Sequence, residues 1–179
     1  MNLEITGTGS CIPEVKVPNS DFEKNAFYTA KGEKIESDTQ KTIEKFEHIT
    51  GIRERRYASV GQQTSDLATQ AALEAIQDSG VDIETLDGVI MAHNFGNVPY
   101  GKHQSDSVPS LAARVKHNLG IANPDCIAFD VLYGCPGWIQ GMILAYNYIK
   151  AEQGKKYLVV GAETLSRKMD PHDRDSMIY

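Results

Sequence analysis

Tyr133-Gly134-Cys135-Pro136-Gly137 is the segment of this 179-residue chain best suited to nucleophilic chemistry. It falls between an apolar strand-like run, Ile127 to Val131, and an apolar helical pattern from Pro136 to Lys150. A turn at that point presents Cys135 at a helix amino terminus, where unpaired backbone N–H groups and the helix dipole favour a thiolate. A low-pKa thiol is both a good nucleophile and a good leaving group, as reversible acyl transfer requires. The same N–H groups can receive the oxyanion of an attacked thioester. Position alone leaves a second reading open, in which Cys135 is a small buried residue ahead of a Pro-started helix.

Other groups carry weaker signals. Gly7-Thr8-Gly9 is followed by Ile12 where a dinucleotide fingerprint needs a third glycine, so a tight packed turn is expected there. Tyr133 stands in place of the first glycine of a G-x-C-x-G elbow, against a cysteine hydrolase of the α/β-hydrolase type. His93 and His103 fall in a long irregular stretch and read as solvated polar groups, and Cys11 and Cys126 read as packing residues. Asp170 and Asp173 beside Arg174 suggest a local ion-pair cluster. The three cysteines form no C-x-x-C pair and no metal-ligand spacing with the five histidines, so no metal is expected. An odd, sparse cysteine count fits a reducing compartment.

The elements that must position these groups follow from hydrophobic periodicity. Leu3 to Gly9 reads as an opening strand, and Val15 to Pro18 as a loop before a helix beginning near Phe22, capped by Asn19, Ser20 or Asp21. A polar stretch from Ala30 to Thr42 leads into a helix through Ile43, Phe46 and Ile49 that Gly51 terminates. The clearest helix is Thr64 to Ser79, capped by Thr64 or Ser65 and closed by Gly80, with Leu67, Ala68, Ala71, Ala72, Ala75 and Ile76 on one face. Gly88 to Ala92 reads as a buried strand and His93 to Ser107 as a long loop of functional length. A helix from Pro109 through Leu119, closed by Gly120, comes next. Strands at Ile127 to Val131 and Tyr157 to Gly161 flank a helix, Pro136 to Lys150, that is apolar nearly all round and is closed by Gly154. Alternating buried strands and helices imply an α/β layered domain with a largely parallel sheet.

Composition bounds the class. The chain is 41% hydrophobic and 23% charged, the profile of a globular domain with its own core. A net charge of −6 argues against a nucleic-acid binder, and the cluster Arg53, Arg55, Arg56 reads as a solvated strand edge. No apolar run approaches membrane-spanning length and the first residues resemble no signal peptide, so a cytoplasmic location without membrane association is the default. Residues 1–179 read as one domain whose end, Arg174 to Tyr179, runs on as if into another element.

Four segments in order carry a family resemblance. Ile5-Thr6-Gly7-Thr8-Gly9-Ser10 with Ile12-Pro13, and Thr50-Gly51-Ile52-Arg53-Glu54-Arg55, are the first two. Ala128-Phe129-Asp130-Val131 followed by Cys135 is the third, and Leu158 to Glu163 with Asp170-Pro171-His172-Asp173-Arg174 is the fourth. Together they resemble the amino-terminal half of β-ketoacyl-acyl-carrier-protein synthase III, a thiolase-fold condensing enzyme. The resemblance implies an α/β thiolase-like fold with a mixed, mostly parallel sheet of the five-stranded type, helices on both faces, and the last strand missing. It also implies a complete chain about twice this length, a homodimer, and catalytic His and Asn residues in a second half absent from residues 1–179. On that reading the chain alone is inactive. Cys135 would take an acyl group from coenzyme A or an acyl-carrier protein, and malonyl-acyl-carrier protein would then lose carbon dioxide and attack it, in fatty-acid or polyketide synthesis. No cofactor beyond these thioester substrates is implied.

Departures from the family pattern fall at the substrate positions. Lys45 replaces the tryptophan that stacks on adenine, a loss of about 1–3 kcal/mol of stacking, while Arg174 matches the other half of that clamp. Val108 replaces a phenylalanine that caps the acyl pocket, which favours a longer or branched acyl group unless Tyr100 or Trp138 fills the space; Tyr133, in place of an alanine, would shape the same pocket. Two alternatives stand beside the ketosynthase. One is a non-decarboxylating thiolase-fold acyltransferase or hydroxymethylglutaryl-type synthase, and the other is a non-catalytic partner of a ketosynthase, which usually lacks the cysteine.

Overall fold

The structure, a computed structural model, describes residues 3–29, 31–36 and 38–178. Ala30 and Tyr179, which bound two of the sequence segments above, lie outside the described residues. The described residues form four α-helices and five strands: β1 Val15–Pro18, α1 Thr39–Thr50, β2 Glu54–Tyr57, α2 Thr64–Ser79, β3 Gly88–His93, α3 Leu111–Asn118, β4 Ile127–Leu132, α4 Gly137–Lys150 and β5 Tyr157–Gly161. Short 3-10 turns include Asn19–Phe22 and Arg174–Ile178.

The main sheet is parallel, with strand order β4-β3-β5. β3 lies at its centre and is buried along its whole length, as a strand covered on both faces must be. Side chains alternate across it. Val89 and Met91 join Leu158 and Val160 of β5 against α2 and α3, in a core with Ala68, Ala72, Leu111 and Val115. Ile90 and Ala92 face α4 instead, where Gly141 and Gly137 bring the helix backbone close. Helices therefore cover both faces, as the α/β pattern requires.

Several elements match the periodicity closely. α1 ends at Gly51 in the left-handed conformation, φ +72°, and α2 ends at Gly80 with φ +63°. The start of α2 differs: its cap is Gln63, whose backbone N–H donates to Asp66 at 2.8 Å, and neither Thr64 nor Ser65 caps it. Both of those hydroxyls are buried in bonds to Thr164 and Asn97. α4 is capped at Ala151, ahead of Gly154.

The amino-terminal region departs from expectation. Leu3 to Gly9 forms no strand but runs along α2, where the N–H groups of Thr8 and Ser10 donate to Asp78 at 2.8 Å and Glu74 at 2.9 Å. Gly7 and Gly9 lie so close to the backbone of α2 that a Cβ on either would overlap Ala75 or Ala71. The Thr8 and Ser10 amides, committed to helix carboxylates, are not available to a strand ladder. The described sheet accordingly has three strands. Val15–Pro18, expected as a loop, instead pairs antiparallel with β2, and a 3-10 turn over Asn19–Phe22 replaces the helix expected from Phe22.

The β1–β2 ribbon, α1 and the carboxyl-terminal turn share a second, smaller core of Phe22, Phe27, Ile43 and Met177. Arg55 is its polar centre and is only 7% exposed, which corrects the solvated-edge reading for this one arginine. Its Nε donates to the Met177 carbonyl at 2.5 Å and Nη1 to Asn19 Oδ1 at 2.7 Å, and the guanidinium lies 4.8 Å from the Phe22 ring centroid and 5.3 Å from that of Phe46. A planar guanidinium between aromatic rings is a packing unit as much as a charge.

Candidate functional site

The carboxyl ends of β3, β4 and β5 converge on one edge, where open parallel sheets place their ligand crevices. Three loops leave that edge: His93 to Ser110, Tyr133 to Pro136, and the chain after Gly161. Cys135 is exposed in the second of them. Gly134 before it adopts φ +69°, a conformation that β-carbon residues enter at a cost, and its carbonyl accepts the Gly137 N–H at 3.0 Å as α4 begins. Pro136 is the N-cap of α4, so Cys135 sits one position ahead of the cap. The thiol therefore faces solvent beside the first turn of a 14-residue helix, which removes the reading of Cys135 as a buried packing residue.

The strand ends are tied together by polar side chains. Asn94 Oδ1 accepts the Gly134 N–H at 3.0 Å, and the Asn94 N–H donates to Glu163 Oε2 at 2.6 Å. His93, expected as a solvated loop residue, ends β3 with a fully buried ring. Its Nδ1 accepts the Gly96 N–H at 3.0 Å, which leaves Nε2 to carry the proton donated to Asp130 at 2.9 Å. Asp130 also accepts the N–H groups of Leu111 and Ala112 at 2.8 Å each, at the start of α3. Burial alone would raise the Asp130 pKa; the His93 hydrogen bond and the two amides overcome it and hold the carboxyl below its ordinary value.

The long loop is closed at its base by a mutual backbone pair, Asn97 N–H to Asp106 O at 3.0 Å and Asp106 N–H to Asn97 O at 2.7 Å. Val108, in the loop that follows β3, is exposed, and Tyr133, two residues before Cys135, is exposed just beyond the end of β4. Trp138, in the first turn of α4, lies against the end of β5: its side chain packs over Gly161 and its indole N–H donates to the Val159 carbonyl at 3.3 Å. Tyr100 is exposed in the long loop.

Lys45 and Arg174 lie on the elements around the smaller core, both exposed. Lys45 is exposed on α1, and Arg174 opens the turn that buries Met177. Both share that module and neither is tied by a hydrogen bond to the Cys135 turn among the described residues. Arg174 pairs with Asp175 at 3.2 Å; Asp170 and Asp173, the partners expected from sequence, accept the backbone N–H groups of His172 and Asp175. Two clefts are described, one of about 260 Å³ lined by residues such as Phe22, Tyr57 and Pro171, the other of about 680 Å³ lined by Asp87, Ile149 and Lys156, and neither includes Cys135.

Of the other cysteines, Cys126 is buried in the main core, where burial raises its thiol pKa. Cys11 is half-buried, and burial followed by the nearby Glu74 raises its thiol. α4, expected to be buried all round, exposes Trp138, Ile139, Ile143 and Tyr146, because within this chain only its glycine and alanine face meets the sheet.

A parallel sheet covered by helices on both faces is the α/β arrangement of the thiolase-like condensing enzymes, and structural comparison bears that fold out. The chain superposes on β-ketoacyl-acyl-carrier-protein synthase III from Thermus thermophilus with a TM-score of 0.75 at 31% identity, covering 98% of this chain and 47% of that one. A 3-oxoacyl-acyl-carrier-protein synthase III from Aquifex aeolicus gives 0.75 and 31%, covering 97% and 49%. More particularly, the chain is related over nearly its whole length to the β-ketoacyl-acyl-carrier-protein synthase III family. It is 36% identical over 174 residues to the member from Ruegeria pomeroyi, covering 97% of this chain and 47% of that protein, and residues 129–179 match the family model for 3-oxoacyl-acyl-carrier-protein synthase III. The chain spans about half the length of the curated relatives it matches.

Asn94 and Glu163 are the residues that sequence reasoning passed over. Their one signal is placement: Asn94 directly follows β3, and Glu163 stands two residues beyond β5, both at strand ends where α/β folds collect polar function.

Proposed function

We propose that this chain carries the acyl-accepting site of a decarboxylating condensing enzyme of the β-ketoacyl-acyl-carrier-protein synthase III type. The observation that carries this reading is the exposed Cys135, held by a left-handed glycine between the carboxyl end of β4 and the first turn of α4. The Cys135 thiolate attacks the carbonyl of an acyl thioester. The tetrahedral oxyanion is met by backbone N–H groups, with the Cys135 amide as one donor, and collapse expels the thiol of coenzyme A or the carrier protein. Malonyl-acyl-carrier protein then loses carbon dioxide, and its carbanion attacks the acyl-cysteine carbonyl; collapse expels the Cys135 thiolate and leaves the β-ketoacyl product on the carrier protein.

Val108 and Tyr133 shape the acyl end of the site in this reading, Lys45 meets a phosphate of the donor, and Arg174 keeps its half of the adenine clamp. The small side chain at Val108 favours acyl groups longer than acetyl. The His and Asn that stabilise the condensation step lie outside the family segments found here, so residues 1–179 form one amino-terminal thiolase-like domain that does not complete condensation alone.

Assembly as a homodimer belongs to the same reading. β4 is an edge strand with Ile127 and Leu132 exposed, and the outer face of α4 is apolar, which together make a surface that a second copy can cover. Three unpaired cysteines fit a cytoplasmic setting. No helix among the described residues is long and apolar enough to cross a membrane.

The test is mass spectrometry of the full-length protein after incubation with acyl-coenzyme A and acyl-carrier-protein thioesters of graded length. An acyl adduct mapped to Cys135, absent in Cys135→Ala, supports the reading, and condensation with malonyl-carrier protein separates it from a non-decarboxylating acyltransferase. No adduct from any thioester overturns it in favour of a non-catalytic partner.

A further inference from the structure

We infer that Asn94 is a positioning residue for the Cys135 nucleophile; the inference rests on the acyl-transfer reading and names the group that sets the geometry of that site. One chain of hydrogen bonds crosses all three strand ends. From the end of β5, Glu163 Oε2 accepts the Asn94 N–H at 2.6 Å while Oε1 accepts the Thr164 N–H at 3.2 Å, which fixes the carboxylate. From the end of β3, Asn94 Oδ1 accepts the Gly134 N–H at 3.0 Å, and from the end of β4 the Gly134 carbonyl accepts the Gly137 N–H at 3.0 Å. Both peptide groups flanking the Gly134 Cα are therefore held.

That hold matters because packing supplies none. Gly134 has no side chain, and a Cβ built on it would find only Pro136 Cδ, at 3.9 Å. Its φ of +69° lies in a region that glycine leaves freely. Without the Asn94 acceptor, the residue before the nucleophile can rotate, and a displacement of about 1 Å at a reacting atom costs on the order of 10²-fold in rate. The orientation of the Asn94 amide is set by the same contact: the Gly134 N–H needs an acceptor, so Oδ1 faces the turn and Nδ2 faces away.

The test compares Asn94→Ala and Asn94→Asp in the full-length protein by amide exchange at Gly134, by the pH profile of Cys135 alkylation with iodoacetamide, and by acyl transfer. Asn94→Ala is expected to speed Gly134 exchange and slow acyl transfer by about 10²-fold, with its unfolding midpoint unchanged. Asn94→Asp keeps an acceptor, so Gly134 stays protected and most acyl transfer is rescued, while the new carboxylate moves the alkylation profile to higher pH. Wild-type exchange at Gly134 in Asn94→Ala, or failure of Asn94→Asp to restore protection, overturns the assignment. If wild-type protein takes no acyl group at all, the acyl-transfer reading fails, and the exchange and alkylation arms still decide the role of Asn94.

Discussion

His93 and Asp130 stand on neighbouring strands, and the imidazole Nε2–H of the first donates to the carboxylate of the second at 2.9 Å inside the protein. The carboxylate also closes the first turn of α3, so one charged group serves a strand end and a helix start. Its folded pKa lies below the ordinary carboxylate value; burial opposes this, and the His93 and amide hydrogen bonds outweigh it. A carboxyl whose pKa falls on folding adds stability that is complete above its unfolded value, about 4, and is lost as pH drops through the folded value. Asp130→Asn is expected to cost about 1–3 kcal/mol at neutral pH, since its NH₂ cannot accept where the carboxylate did. Urea unfolding between pH 7 and pH 2 checks both points: the variant should lose less stability than wild type over the acid limb, and parallel curves would refute the assignment.

Cysteine reactivity should follow placement. Cys135 is exposed beside a helix start, whereas burial raises the thiols of Cys126 and Cys11. Limited iodoacetamide treatment at pH 7.5 followed by peptide mapping should label Cys135 at least about 10-fold faster than Cys126. Equal labelling of the two would mean that the turn is closed in solution.

Local signals in the sequence located the helices and the three core strands well, because their periods and glycine stops are written within each segment. Gly51 and Gly80 are examples, each ending its helix in the left-handed conformation. What escaped depends on partners distant in the chain. Val15–Pro18 is a strand only because Glu54–Tyr57 lies beside it, and the chain at Thr8 and Ser10 follows α2 because Asp78 and Glu74 take their amides. Arg55 looked like its solvated neighbours until Met177, 122 residues away, supplied a buried acceptor. At the site, Cys135 was legible from its strand–turn–helix setting. Asn94 was not, since its role is a contact 40 residues along the chain.

Gly141 brings α4 down onto the sheet: a Cβ there would lie 2.9 Å from Val159 Cγ1 and 3.4 Å from Ile90 Cγ2. Gly141→Ala gains about 1 kcal/mol of helix propensity against an overpacking cost of about 1–3 kcal/mol, so a net loss is expected. Val159→Ala alone removes half-buried methyl groups and should cost about 1 kcal/mol. In the double variant the alanine at 141 occupies space that Val159 vacates, and the two losses should fall short of their sum by about 1 kcal/mol. Strict additivity in chemical unfolding would show that the two side chains do not meet.

Arg55 and Arg53 offer the last contrast, the first within β2 and the second just ahead of it. Arg53 pairs with Glu47 at 3.2 Å with its side chain 84% exposed, and such pairs contribute little. Arg55 is buried between Phe22 and Phe46 and holds the Met177 carbonyl and Asn19 together, so its planar, forked donors cannot be replaced by an ammonium. Arg53→Lys should therefore change stability by no more than about 0.5 kcal/mol, while Arg55→Lys should cost about 2 kcal/mol. The loss should be local first. Because Met177 anchors the turn that Arg174 opens, amide exchange over residues 174–178 is expected to rise in Arg55→Lys and stay at the wild-type level in Arg53→Lys. Matching exchange in the two variants would mean that the carboxyl-terminal turn is held by the packing of Met177 alone, with no help from the guanidinium.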